Sequence, residues 1–525
     1  MIVLGIESTS HTSSVGISQD GRITLVKSHT YKPATGGINP RDAAEHHRKF
    51  FPLLLDELLR ESGIDIKEVD KIAFSVGPGL GPSLKVGASL ARYLALKYEK
   101  PLVPVNHGIG HLEVARVYSG LNDPLYLYVS GGNTQLILHG RGRYIVVGET
   151  LDIGVGNFLD KLAREMGIPF PGGPVLEKLA KGGGEILDCP YIVKAMDVSF
   201  SGLFTYLKNR IGKVRDEDIA FNAQEYAFSA LGEVSERAMA HYGLSEITVT
   251  GGVAMNRRLR EILKIMAEER GWKFSVPVDS YLQDNGGMIA LAGEKIQGTM
   301  DYRIPINQYD RLDSWSLNFI NRELKFSPEG VGGESIITRD NVLGLKSVKK
   351  TRIERKYRNE VLDNKIRNMR IRREIRAYAA FMKLHVNFPN VIFVDMDQGA
   401  IWLEEIDGKK LTNVLLEGSD IDLRELGKAI GRLHRADISH GDLTTSNVLY
   451  KEGKFFLIDP SMAELNAGIE EKAVDIHLFK ESLKALKSHW MKLFENFMEG
   501  YEEESESEEI IKRVDDIEKR RRYVI

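Results

Sequence analysis

Cysteine is nearly absent from this chain: Cys189 is the single one in 525 residues. A disulfide framework is therefore excluded, and a reducing cytosol fits. Long apolar runs are missing as well. No stretch approaches the ~18 consecutive apolar residues of a membrane-crossing helix, so no membrane partner is expected. The opening Met1-Ile-Val-Leu-Gly-Ile meets Glu7 at once and reads as a buried strand, not a secretory leader. Nor does charge of one sign dominate. The formal net charge is −3, so overall balance argues neither for nor against nucleic acid, and any basic patch must be local. What is present, 42% hydrophobic and 28% charged residues, is the composition of a soluble globular protein. The length exceeds one core and implies two or three domains.

The first part of the chain turns on His107 and His111. A short strand leads in from Pro101, and an amphipathic helix leads out to about Tyr118. If the helix starts near Gly108, the two imidazoles lie one turn apart on one face, where they can share a metal ion. A histidine-rich helix start without a ligand is the plainer alternative. One missing residue limits the chemistry. A helical metalloprotease motif needs glutamate directly after its first histidine as general base, and here that residue is Gly108. Asp284, in an Asp-Asn-Gly-Gly turn before a helix, is the best carboxylate to join the pair.

Two stretches share a pattern of strand, small polar loop and strand: Ile2 to Ser18, and Tyr126 to Leu138. Their recurrence about 120 residues apart suggests duplicated α/β halves facing a cleft. Between them, Pro40 to about Ser62 has helical periodicity, and Gly77 to Ser83 joins a strand to a helix. That turn is either an anion site or a plain connection. Further on, Asp160 and Lys161 sit in the early turns of a helix, and glycine turns precede Glu177 and Asn256. Glycine turns beside carboxylates suit a ribose.

Periodicity stops near residue 327, where proline and glycine cluster, and a domain boundary is placed there. Two hairpin strands and a helical stretch from Tyr357 to Leu384 follow. Between Lys346 and Arg376 stand 13 Lys/Arg against 4 Asp/Glu, a local basic excess that suits RNA phosphate or ATP. Then Asp442 is followed five positions later by Asn447, and Asp459 ends the next apolar strand. One carboxylate facing a nucleophile, with Asn and a second Asp holding Mg²⁺ on phosphates, is the arrangement phosphoryl transfer requires. The acidic run Glu499 to Glu509 reads as a solvated face, and the tail from Lys519 is basic.

Taken together, the motifs from residue 1 to about 325 closely resemble the universal threonylcarbamoyladenosine-forming transferases, the TsaD-like catalytic subunit of the KEOPS complex. The resemblance implies an α/β fold: a duplicated, two-lobed actin-like domain of the sugar kinase, actin and chaperone superfamily, at 1–326. It implies His107, His111, Asp284 and Tyr128 as ligands of one metal ion, iron or zinc. It implies Val129, Ser130, Gly131 and Gly132, with Tyr128, against the acyl-adenylate, and Asp160, Gly173, Glu177 and Asn256 around the nucleoside. Bacterial members carry an acidic pair where this chain has His11 and Thr12, so no general base is carried over there, and Glu7 is left unassigned. The part at 327–525 resembles the small RIO-like atypical kinase/ATPase of the same complex, an α+β protein-kinase-like fold. Lys350 aligns with its lysine, Lys349 being a near rival, and Glu374 with its partner glutamate. Asp442 falls at the catalytic-loop base, and Asn447 and Asp459 at the ATP–Mg ligands. A Gly-x-Gly-x-x-Gly loop is missing, with only Gly330 to Glu334 in its place, and too little chain follows Asp459 for a full peptide-binding lobe.

The expected protein is a cytoplasmic fusion enzyme. Its first part transfers threonylcarbamoyl from the adenylate to the exocyclic amine of the adenosine beside the anticodon of ANN-decoding tRNAs. Its second part is an atypical serine/threonine kinase/ATPase that binds ATP and Mg²⁺ and regulates or supports the cycle. Expected partners are tRNA, threonylcarbamoyl-adenylate, ATP, other KEOPS subunits and a separate adenylate-forming enzyme. The alternatives are a metalloprotease, an actin-like chaperone or sugar kinase, and a non-catalytic tRNA-binding scaffold.

Overall fold

The computed structural model describes residues 1–32, 38–140, 142–317, 335–342, 344–418, 421–486, 490–505 and 508–521. The Gly330 to Glu334 segment, the 326/327 boundary and the end of the basic tail (522–525) lie outside them. The chain divides into two compact units, Met1–Ser327 and Pro328–Ile525.

In the first unit, strands β1 (Ile2–Glu7), β2 (Thr12–Gln19), β3 (Arg22–Thr30), β4 (Lys71–Gly77) and β5 (Leu102–Asn106) form one sheet, in the order β3-β2-β1-β4-β5. Strands β6 (Leu125–Val129), β7 (Thr134–Gly140) and β8 (Arg143–Glu149) begin the next sheet. After a small hairpin of β9 (Ile192–Lys194) and β10 (Asp197–Ser199), β11 (Glu246–Thr250) and β12 (Lys273–Ser275) complete it, in the order β12-β11-β6-β7-β8. The two sheets are one topology used twice: an antiparallel three-strand meander whose first strand continues into two parallel strands. Central β1, antiparallel to β2 and parallel to β4, is buried on both faces, and its sequence is accordingly an unbroken apolar run up to Glu7.

Local sequence sets the helices that matter. Asn106 accepts from the Ile109 amide at 3.2 Å and caps the helix His107–Tyr118, so the helix starts at His107, one residue earlier than its glycines suggest. Asn285 likewise caps Gly286–Lys295, leaving Leu282 and Asp284 in the turn before it. Although this last helix follows the second sheet, it packs on β1 and β2 of the first. Gly5 and Gly16 make that possible: a Cβ on either would collide with the backbone of Gly286, Gly287 or Ala290. Ser14 Oγ accepts from the Gly286 amide at 2.9 Å and fixes the junction. The close approach brings Asp284 to the end of β1. Asp160 lies in the second turn of the helix Val155–Glu165.

In the second unit, β13 (Ser335–Val342), β14 (Leu345–Arg352), β15 (Val391–Asp395) and β16 (Ala400–Glu404) form an antiparallel sheet in the order β13-β14-β16-β15. The helix Glu360–Lys383 is started by Asn359, which accepts from the Val361 and Leu362 amides, so Tyr357 and Arg358 precede it. A second sheet of β17 (Lys409–Lys410), β18 (Val448–Lys451) and β19 (Lys454–Leu457) follows. The helical part is Arg424–Arg435, Ile469–Leu486, Trp490–Glu504 and Glu508–Arg521, with Leu426, Ile430, Phe479, Phe497 and Tyr501 in its core.

Candidate active site

His107 opens its helix and His111 follows one turn later, with their rings edge to face at 4.8 Å. Asp284 reaches both: its Oδ1 is 3.2 Å from His111 Nε2 and 3.5 Å from His107 Nε2. One donor atom from each residue lies within 4.8 Å of the others. Burial opposes charge on His107, but Glu7 and Asp284 outweigh it and raise its pKa to about 9. Burial pushes His111 down, and neighbouring His107 adds to this. Burial also acts against charge on Asp284, yet the two imidazoles hold its carboxyl well below the usual range. Two imidazoles and a carboxylate gathered in a buried corner are a donor set that fits a transition-metal ion. Tyr128, the penultimate residue of β6, is buried beside them, its ring 5.3 Å from that of His111. Its hydroxyl accepts from Asn133 Nδ2 at 3.4 Å. Burial, then the charge of Asp284, raise its pKa, so the phenol stays neutral by itself.

The loop Val129, Ser130, Gly131, Gly132 continues directly from Tyr128. Its carbonyls are used from behind: Gly156 N donates to Ser130 O at 3.2 Å and Asn157 N to Gly131 O at 2.8 Å. Gly251, at φ 92°, lets β11 turn under Val129, where a Cβ would strike the Val129 carbonyl. The four nucleoside candidates form two linked contacts. Asp160 accepts from the amides of Gly172 at 2.9 Å and Gly173 at 3.3 Å. Glu177, on the helix Gly173–Ala180, accepts from the Arg257 amide at 3.1 Å, next to Asn256. Asn256 caps the helix Arg257–Glu269 and donates to Gln224 at 2.8 Å. The Gly77 to Ser83 turn takes the plain alternative. Leu80 N donates to Thr9 O at 2.7 Å and Gly79 N to Gln308 O at 3.2 Å, so these amides are not offered to an anion.

Sequence reasoning left Glu7 without a role and did not single out Thr9. Glu7 Oε2 is 3.0 Å from His107 Nδ1, and its other oxygen accepts from the Thr9 amide at 2.6 Å. The available signal was a glutamate ending an otherwise apolar strand.

In the second unit, Lys350 Nζ lies 2.9 Å from Glu374 Oε1 and 2.6 Å from Asp459 Oδ1. Lys349 instead donates to Gln398 at 3.1 Å and covers the Trp402 ring at 4.6 Å. Asn447 Nδ2 donates to Asp442 Oδ2 at 2.9 Å. The loop is anchored by buried Asp475, which accepts from the His440 and Gly441 amides. Part of the basic excess is internal rather than a surface. Arg352, Arg355, Arg358 and Arg370 are buried, and Arg352 pairs with Glu374 at 2.7 Å and Arg358 with Asp363 at 3.0 Å. Lys346, Lys356, Arg372 and Arg376 remain exposed.

Two lobes of one repeated topology around a histidine–carboxylate corner define an actin-like α/β domain of the metal-binding kind, here continued by a small kinase-like domain. A family model for tRNA N6-adenosine threonylcarbamoyltransferase matches residues 23–291, and one for the lipopolysaccharide kinase (Kdo/WaaP) family matches 327–501. Over its whole length the chain is 42% identical to a probable bifunctional tRNA threonylcarbamoyladenosine biosynthesis protein of Thermoplasma acidophilum, with 100% of both chains covered. It is equally similar, at 42% and the same coverage, to that of Methanocaldococcus jannaschii, and 40% identical to that of Methanothermobacter thermautotrophicus. The chain belongs to this family of bifunctional tRNA threonylcarbamoyladenosine biosynthesis proteins. Gly108 also removes the metalloprotease reading, since no carboxylate follows His107. Among the described residues, no helix is long and apolar enough to cross a membrane.

Proposed function

We propose that the first domain, 1–326, transfers threonylcarbamoyl from threonylcarbamoyl-adenylate to the exocyclic amine of the adenosine beside the anticodon in ANN-decoding tRNAs. The observation that carries this reading is the continuity of the histidine–carboxylate corner, through Tyr128, with the Val129 to Gly132 loop. His107, His111, Asp284 and Tyr128 would hold iron or zinc, which supplies Lewis acidity toward the acyl oxygens. Amides of the loop bind the phosphate and stabilise charge developing on it. Asp160 and Glu177 accept from the ribose hydroxyls, and Asn256 and Gly173 flank the base. AMP leaves as the amine attacks.

The second domain, 327–525, binds Mg–ATP through Lys350, Asn447 and Asp459, with Glu374 orienting Lys350 and Asp442 as base for phosphoryl transfer. Its turnover supports the transferase cycle. The protein acts in the cytoplasm with tRNA, other KEOPS subunits and a separate enzyme that makes the adenylate.

The test supplies tRNA, threonine, bicarbonate, ATP, the complex partners and the adenylate-forming enzyme, and measures the modified nucleoside. Product is expected from wild type and not from Asp284→Ala. Equal yield from the two, or none from wild type, overturns the reading.

A further inference from the structure

We propose that Glu7 is a positioning residue for the corner: it holds His107 with the hydrogen on Nδ1, leaving Nε2 free to act as the ligand atom. This rests on reading His107, His111 and Asp284 as a metal site, and adds what fixes one of its imidazoles.

Glu7 is fully buried at the end of β1. A carboxylate placed there loses its hydration and must be given donors. It has three. The Thr9 amide and Thr9 hydroxyl reach Oε1 at 2.6 and 2.5 Å, and His107 Nδ1 is 3.0 Å from Oε2. On the far side of the ring, His107 Nε2 faces Asp284 Oδ1 at 3.5 Å, the oxygen that His111 Nε2 also approaches at 3.2 Å. The ring thus stands between two carboxylates, one per nitrogen. Nδ1 meets Glu7 Oε2 and also lies 3.1 Å from Thr9 Oγ1, whose own hydrogen goes to Glu7 Oε1, so both groups facing Nδ1 can accept, while Nε2 meets the shared donor cluster. A carboxylate accepting from the outer nitrogen fixes the ring and makes the inner nitrogen a better donor to a metal.

The Thr9 amide makes the idea discriminating. In Glu7→Gln the side-chain oxygen must stay toward the Thr9 N–H, a donor fixed by the backbone. The new NH₂ group then faces His107 Nδ1. A donor facing Nδ1 repels hydrogen there and leaves Thr9 Oγ1 as its one remaining acceptor, which favours moving the hydrogen to Nε2, where it competes with the metal. The shape of the side chain hardly changes.

The experiment measures zinc affinity of the full chain by competition with a chromophoric chelator, together with thermal unfolding of the metal-free protein. Glu7→Gln is expected to bind zinc on the order of 10–100-fold more weakly, with unfolding close to wild type. In zinc-loaded wild type, imidazole ¹⁵N NMR is expected to show hydrogen on His107 Nδ1 and zinc on Nε2. Zinc on Nδ1, or wild-type affinity in Glu7→Gln while Asp284→Ala has lost it, overturns the role of Glu7 alone. Zinc uptake no greater in wild type than in Asp284→Ala overturns the metal reading and this inference with it. The NMR arm needs no substitution and decides the matter if Glu7→Gln does not fold.

Discussion

Lys349 and Lys350 are neighbours in β14, yet their ammonium groups lie on opposite faces of the sheet. Lys350 is buried between Glu374 and Asp459, whereas Lys349 caps Trp402. Strand alternation alone separates them. Lys350→Met should reduce ATP turnover on the order of 10²-fold or more, by analogy with the loss of one preorganised donor to a developing charge. Lys349→Met should leave it near wild type. Glu374 keeps Arg352 as a partner at 2.7 Å, so the domain should still fold. An ATPase assay on the two variants checks this, and equal activities would refute the assignment.

Gly5→Ala tests the seam between sheet and last helix. A methyl group on Gly5 runs into the Gly286 carbonyl and the Ala290 amide, both backbone atoms that cannot turn aside. Overpacking of this kind typically costs about 1–3 kcal/mol. The displaced helix carries the turn with Asp284, so zinc affinity should fall along with stability. Chemical denaturation and a zinc titration measure the two together. Full zinc affinity in a destabilised variant would mean that Asp284 is positioned by something else.

Much of this arrangement was legible in the chain. The duplication shows because both meanders repeat strand, polar loop and strand, and Asp284 shows because an Asp-Asn-Gly-Gly turn before a helix presents a carboxylate. Other parts were not legible. Choosing Lys350 over Lys349 needs the register of β14 against β16, which pairs Lys350 with Ile401, and register is a tertiary property. Glu7 was seen but not placed, because its partner His107 is distant in sequence and meets it only when β5 lies two strands away in the same sheet. The basic stretch misled in part because a count of charges cannot tell a buried arginine paired with Glu374 or Asp363 from one facing solvent.

Asp152 gives a pH-dependent prediction. Its carboxylate accepts from the amides of Ile153, Phe200 and Ser201 at 2.7, 2.9 and 2.9 Å and from Ser199 Oγ at 2.6 Å. The side chain is solvent-exposed, and the partial desolvation of its carboxylate works against its charge, but these hydrogen bonds prevail and hold its pKa below the ordinary value. A folded pKa below the unfolded one adds stability that is present above the unfolded pKa of about 3.9 and is lost as pH falls through the folded value. Asp152→Asn should therefore be destabilised, by about 0.5–1 kcal/mol near pH 7 once solvent screening at this exposed site is allowed for. The gap to wild type should close as pH drops below the unfolded pKa of about 3.9 and through the folded value. Denaturant titrations across this range measure it, and a gap that widens in acid would reverse the sign argued here.

Tyr128 makes the sharpest demand on the corner. Its phenol is kept neutral by burial and then by the charge of Asp284, and its hydroxyl accepts a long hydrogen bond from Asn133 at 3.4 Å. A cation held by His107, His111 and Asp284 would reverse that preference and draw off the phenolic proton. Loading the chain with ferric iron should therefore produce a phenolate-to-iron absorption in the visible. It should fade as pH is lowered, because protons compete with the metal for the same oxygen. Tyr128→Phe keeps the buried ring and removes only the hydroxyl, so stability should change by less than ~1.5 kcal/mol while the absorption disappears. If the variant showed the same band as wild type, the phenol would be a neighbour of the site and not one of its ligands.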